Sequence, residues 1–251
     1  MIARPFQPEM KWAILSDVHG NLEALQAVIA DLHREKAERI AFLGDAVGYG
    51  ANPDECLLLI RERTEWMVAG NHDYGAVGLT DVSYFNPAAK AAILWTGKKL
   101  SAEGTAFLRG LPLLSQVAGI TFVHATPNAP GEWNYIFTFP EAEEAFSSMG
   151  GELAFIGHSH SPLILAKKGD ENVTAPGGEE ITLEKGIRYI INVGSVGQPR
   201  DGNPKAAYGL YDEAERRFIL KRVPYDIQTA QKKIISAGLP RSLAQRLSEG
   251  T

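Results

Sequence analysis

Short apolar runs alternate with amphipathic stretches through the first seventy residues. WAILS (12–16) and RIAFL (39–43) have the character of buried strands. Between them Leu22, Leu25, Val28, Ile29 and Leu32 recur at helical spacing, which predicts a helix to about Arg34. Asn52-Pro53 offers an N-cap and a first helical residue for a second helix to about Arg63, and 66–69 reads as a third strand. This strand–helix–strand–helix–strand order predicts a mostly parallel sheet with helices packed on it.

Asn86-Pro87 opens another helix and Ser101 caps the next. Beyond residue 113 the texture changes. Strand candidates crowd together at 113–117, 120–124, 153–156, 163–166, 181–184, 188–192, 206–211 and 217–223, with one helix at about 140–149. They predict a second sheet, largely antiparallel or mixed. The polar, glycine-rich 167–180 (KKGDENVTAPGGEE) reads as an exposed hairpin tip, and EAERR (213–217) as a solvated turn. Asp226 caps a closing helix that stops at Gly238, and a short final helix follows Pro240. No repeat and no linker divides the chain, so 1–251 is read as one domain with a sizeable core.

Composition narrows the partners. Apolar content of 45 % and charged content of 22 % are ordinary for a globular protein. Net charge is −5 and no run of Lys or Arg exceeds two, which argues against nucleic-acid duplex binding. A phosphate ligand would therefore draw its counter-charge from metal. No apolar run reaches 18 residues, so no membrane association is expected, and Met1-Ile2-Ala3-Arg4-Pro5 lacks the apolar core of a signal peptide. The one cysteine, Cys56, excludes an internal disulfide and reads as a small buried side chain. A cytoplasmic protein is the expectation; the oligomeric state is left open.

The candidate chemistry sits where strands end. Asp17-Val18-His19-Gly20-Asn21 follows the first strand, Gly44-Asp45 the second and Gly70-Asn71-His72-Asp73 the third; His124 ends ITFV, and His158-Ser159-His160 follows LAFIG. Ligands of open α/β sheets bind beyond such carboxyl ends. Singly, each cluster is ordinary turn chemistry. Together they form a mixed nitrogen and oxygen donor set large enough for two metal ions. The sixth histidine, His33, suits the C-terminal turn of its helix. A serine-hydrolase elbow at 157–161 fails, because Ser161 stands where a glycine belongs and PLILA (162–166) reads as strand rather than helix.

In order and type these clusters resemble the five motifs of the calcineurin-like metallophosphoesterases, D-x-H, G-D, G-N-H-[DE], H and G-H-x-H. The tail 192–200 (NVGSVGQPR) and the loop Trp133-Asn134-Tyr135 resemble those of the family's small bacterial predicted phosphodiesterases. The resemblance implies an α/β fold, the two-sheet α-β-β-α sandwich, and two divalent ions, among Mn, Fe, Zn, Co or Ni with manganese preferred. Asp17, His19 and His160 would hold one ion and Asn71, His124 and His158 the other, with Asp45 bridging. The implied reaction is hydrolysis of a small phosphoester, phosphodiesters preferred, by a metal-activated hydroxide, with His72 protonating the leaving oxygen.

Protein phosphatases of the family write the second motif G-D-x-V-D-R-G. Here Gly48 and Tyr49 replace its second Asp and its Arg, which disfavours a protein phosphatase and, equally, a dinucleoside-polyphosphate hydrolase. Asp73 is then the candidate to support His72. Arg200 is a candidate phosphate contact, and Trp133 and Tyr135 candidate walls for an aromatic leaving group. A protein-interaction scaffold without turnover is the non-enzymatic alternative. An intact His72 speaks for an enzyme.

Overall fold

The computed structural model describes residues 10–251; the leader argument built on Met1 to Pro5 lies outside the described residues. The first half folds as β1 (Lys11–Leu15), α1 (Leu22–Glu35), β2 (Arg39–Phe42), α2 (Pro53–Arg63), β3 (Trp66–Met67), α3 (Asn71–Ala76), α4 (Pro87–Lys99) and α5 (Ala102–Arg109). There follow β4 (Leu114–Val117), β5 (Ile120–Val123), α6 (Phe139–Ser148), β6 (Leu153–Ile156), β7 (Leu163–Lys168), β8 (Glu180–Thr182), β9 (Ile187–Asn192), β10 (Ala206–Asp212), β11 (Arg217–Val223), α7 (Ile227–Ser236) and α8 (Arg241–Glu249). Among the described residues no helix is long and apolar enough to cross a membrane.

Two mixed sheets pack face to face, with strand orders β3-β2-β1-β10-β11-β8 and β4-β5-β6-β9-β7. Period-two alternation decides which side each residue serves. In β1, Trp12 and Ile14 point into the layer between the sheets, where Phe122, Phe155, Ile191 and Phe218 meet them. Ala13 and Leu15 point the other way, onto α1 and α2 through Leu25, Val28, Leu57 and Ile60. On the far side of the second sheet, Ala142, Ala145 and Phe146 of α6 cover Val123, Ala154 and Ile190. The layers are α-β-β-α, as the motifs implied.

Several expectations change. The first sheet is parallel only across β1–β2 and β2–β3; β10, β11 and β8 complete it antiparallel. Periodicity fixes a strand's faces but not its sheet, and β10, buried along nearly its whole length, suits a central place beside β1. Residues 167–180 do not tip a hairpin between β7 and β8, because those strands lie in different sheets. Thr174 folds back onto Ala166, and the chain then crosses over. The third strand is two residues long rather than four: Ala69 N–H leaves the ladder for the Pro112 carbonyl (2.8 Å). Asn52 makes no side-chain cap; its amide donates to Glu55 instead (2.9 Å). The turn at 213–217 is more than solvated, since Glu213 accepts from Trp12 Nε1 (2.6 Å). Helix α3 was not legible, because six residues including Gly75 show no helical period.

Candidate metal centre

The loops after β1 and β2 are zipped together by backbone bonds. Asp17 N–H donates to the Gly44 carbonyl (3.0 Å), His19 N–H to Asp45 (2.9 Å) and Gly20 N–H to Ala46 (2.9 Å). The 192–200 tail clamps them from the second sheet: Ser195 Oγ and Gly197 N–H both donate to the Asp17 carbonyl (2.8 and 2.9 Å), and Asn192 Nδ2 donates to the Gly157 carbonyl (2.6 Å). Asp17, His19, Asp45, Trp133, His158 and His160 all take left-handed backbone, with φ between +51° and +66°. Such conformations cost about 1–3 kcal/mol each and persist only where the surroundings over-determine them. Here bonds of this kind hold the loops, and the result is that the side chains of Asp17, His19, Asp45, His158 and His160 aim at one point, while Trp133 turns its carbonyl onto His158.

All eight residues expected at the centre are there, and all are buried. His19 Nε2 and His160 Nε2 lie 3.0 Å apart, with Asp17 Oδ1 at 3.6 and 3.2 Å from them. A second group lies beside the first: His124 Nε2 is 3.2 Å from Asn71 Oδ1 and 3.2 Å from His158 Nδ1. Asp45 stands between the two, its Oδ2 3.5 Å from His19 Nε2 and 3.4 Å from His124 Nε2. Its other oxygen accepts from His72 N–H of α3 (2.8 Å).

The hydrogen bonding behind the histidines fixes their tautomers. Carbonyl oxygens only accept, so each ring nitrogen on a carbonyl must carry the proton. His19 Nδ1 meets the Val47 carbonyl (3.2 Å), His124 Nδ1 that of Leu43 (2.8 Å), and His160 Nδ1 that of Gln198 (2.6 Å). His158 is turned round, with Nε2 on the Trp133 carbonyl (2.8 Å). In a neutral ring the opposite nitrogen is thereby left as a lone pair facing the centre, the arrangement of metal-binding histidines. Asp17 Oδ1, buried in the same place, has no hydrogen-bond partner.

The electrostatics agree for His158 and His160. Burial, then the charge of His124, pushes His158 down to about 3; burial, then Arg200, pushes His160 down to about 4. Burial alone would lower His124 too, but the carboxylates of Asp45 and Asp17 prevail and raise it to about 9. Both carboxyls are themselves held below the ordinary range against burial, chiefly by neighbouring histidines. Carboxylates and bare imidazole nitrogens packed this closely repel one another unless a cation sits among them, and the donor set fits a divalent metal.

The profile of the calcineurin-like phosphoesterase superfamily domain matches residues 10–216. The chain belongs to that superfamily. It is 44 % identical over 243 residues to an uncharacterized protein of Methanocaldococcus jannaschii, covering 95 % of this chain and 97 % of that one. The crystal structure of a metallophosphoesterase from Sphaerobacter thermophilus superposes with a TM-score of 0.84 at 40 % identity, over 96 % of this chain and 99 % of the other. A hypothetical protein from Pyrococcus horikoshii shares the fold at a TM-score of 0.76 and 21 % identity, over 96 % and 98 %. As a member of the superfamily the protein is a phosphoric ester hydrolase with a buried histidine and aspartate cluster able to hold metal.

Around this phosphoesterase centre the remaining candidates sort differently. His72 also offers a nitrogen near donors of His19 and Asp45, all within 4.8 Å of one another. Unlike the other four histidines it has no carbonyl behind it, and its buried Nδ1 lacks any partner. Asp73 does not support it. That carboxylate instead accepts from the backbone N–H groups of Asp45 (2.7 Å), Gly70 (3.1 Å) and Val47 (3.3 Å), pinning the second motif. Burial and the neighbouring Asp45 raise Asp73 to about 7. Gly48 is needed for space: a Cβ there would lie 2.7 Å from His72 Nδ1 and 2.8 Å from His19 Nδ1, at φ +135°.

Tyr49, read only as a missing arginine, packs its ring against His19 (4.6 Å) and His72 (4.5 Å), and its hydroxyl accepts from Arg200 Nη2 (3.1 Å). Arg200 thus reaches the rim from the opposite end of the chain. Trp133 acts through its carbonyl on His158, while its ring is braced edge-on to Tyr74 and its Nε1 donates to Thr80 (3.2 Å). Tyr135 stacks on His158 at 4.1 Å and carries Phe137 on itself at 4.9 Å. Gln198, Asn192 and Ser195 were signalled only by the resemblance of their tail. Arg246, which shares the Gln198 side chain with Arg200, gave no signal at all.

Proposed function

We propose that the chain is one catalytic domain, a two-metal phosphodiesterase in which Asp17, His19 and His160 hold one divalent ion, Asn71, His124 and His158 the other, and Asp45 both. The observation that carries this reading is the set of four carbonyl-anchored histidines with lone pairs directed at two adjacent groups joined by one carboxylate. Bound divalent ions supply Lewis acidity: charge neutralisation at phosphoryl oxygens and a lowered pKa for attacking water. Asn71 keeps its group less negative than a third carboxylate would, which eases the approach of an anionic substrate.

His72 is the proton donor to the leaving oxygen. It is tied to the centre through its backbone N–H on Asp45 but holds its ring free of carbonyls. Burial holds that ring well below its ordinary pKa. An anionic phosphodiester arriving beside it favours the charged form and restores the proton it has to give. Tyr135 and the largely exposed Phe137 extend a ring stack outward from His158, a surface for a planar leaving group.

The test is metal stoichiometry with turnover. Protein saturated with Mn²⁺ binds two ions by elemental analysis and hydrolyses bis(p-nitrophenyl) phosphate faster than p-nitrophenyl phosphate. Asp45→Asn loses metal from both groups, whereas Asp17→Asn loses chiefly one equivalent. A single ion in saturated wild type, or equal losses in the two variants, contradicts the assignment.

A further inference from the structure

At the rim, two arginines hang on one neutral acceptor. Gln198 Oε1 accepts from Arg200 Nη2 (2.9 Å) and from Arg246 Nη1 of α8 (3.3 Å). Gln198 is itself buried, and its carbonyl is the one that anchors His160. Arg200 Cζ lies 5.6 Å from the centre of the Tyr49 ring, which packs on His19 and His72. Among the described residues neither guanidinium has a carboxylate partner: Asp201, next along the chain, is taken by Arg222. Arg200 Nε is buried with no partner at all.

Two like charges sharing one amide oxygen gain little from folding and repel each other. Burial and then the charge of Arg200 lower the pKa of Arg246, as expected for a cation lacking a counter-ion. In a chain of net charge −5, such a pair beside a metal centre is placed to receive an anion, and guanidinium groups bind phosphate oxygens through paired N–H bonds. The second motif, 44–50 (GDAVGYG), offers no Lys or Arg; these two arginines, 46 positions apart, bring positive charge from elsewhere.

We propose that Arg200 and Arg246 form a subsite for a second phosphate, so that the preferred substrates are phosphoric esters in which another phosphate group follows the scissile phosphorus. This rests on the phosphodiesterase reading above and names its substrate class. The test compares ADP with AMP, as competitive inhibitors of bis(p-nitrophenyl) phosphate hydrolysis and by calorimetric titration of the Mn²⁺-loaded protein. In wild type, ADP binds about tenfold or more tightly than AMP, the scale of one or two charge-assisted hydrogen bonds. Arg246→Gln lowers that ratio about tenfold, Arg246→Lys lowers it less, and Arg241→Gln, an exposed arginine on the same helix, keeps it. Melting temperatures report whether each variant folds. An unchanged ratio in folded Arg246→Gln, or equal loss of ADP and AMP, overturns the subsite. Absent turnover of the diester by wild type sinks the phosphodiesterase reading alone, because the calorimetric ratio still decides the subsite.

Discussion

Gly70→Ala perturbs the centre without removing a donor. The backbone there is extended (φ −103°), so alanine meets no conformational penalty. The added methyl, however, would sit 2.0 Å from Asp45 Oδ1 and 2.6 Å from both its Cγ and its backbone nitrogen, where ordinary contact begins at 3.4 Å, so the carboxylate has to retreat by about 1.4 Å and the backbone at Asp45 has to shift with it. In retreating it loses the bond from His72 N–H, worth about 1.5–3 kcal/mol for a charged acceptor. It also leaves its position midway between His19 and His124, and a displacement of about 1 Å in a catalytic group costs on the order of 10²-fold in rate. The expected outcome is a fall in kcat/KM of about 10²-fold, or about 2.7 kcal/mol, with weakened metal binding. Elemental analysis, the melting temperature with and without Mn²⁺, and diester kinetics measure it. The melting temperature without metal should fall modestly and the metal-dependent increment should shrink. A variant that retains two ions and wild-type kcat/KM would refute the reasoning, because Asp45 would then be free to move without consequence.

Two further outcomes follow from other parts of the molecule. His72→Ala should lower kcat/KM by about 10²–10⁴-fold on an alkyl diester and far less on bis(p-nitrophenyl) phosphate, whose leaving group needs no proton; an identical drop on both removes the proton-donor role, and metal content near wild type separates it from ligand loss. Tyr208→Phe should destabilise by about 1.5–3 kcal/mol at pH 7, since the buried hydroxyl donates to the Asp31 carboxylate (2.7 Å). Burial opposes but Tyr208 and then Arg34 hold Asp31 below its ordinary range, so this contribution is present above about pH 3.9 and fades as pH falls through the lower folded value. Urea unfolding at pH 7 and near pH 3 checks it: the gap between wild type and variant should narrow in acid, and a constant gap refutes the charge-dependent part.

Much of the site was legible because its donors are side chains placed just after apolar runs. Short apolar runs located β1, β2, β5 and β6, and their ends carry Asp17, Asp45, His124 and His158. The donor types then implied metal before any distance was known. Tertiary structure decided the rest. Whether β10 and β11 joined the first sheet or the second depended on which buried edge was open, and a strand's own alternation says nothing of its neighbour. Asp73, adjacent to His72 in sequence, turned out to serve the backbone of Asp45, Val47 and Gly70, because helix α3 sends consecutive side chains in different directions. The groups that orient the four histidines are carbonyls of Leu43, Val47, Trp133 and Gln198, and every residue has a carbonyl, so no residue type marks them. Arg246 meets Arg200 only because α8 packs back over the second-motif loop, with Tyr49, Leu243 and Leu247 in one apolar cluster. Local pattern determined what each segment offers; long-range packing determined what it faces.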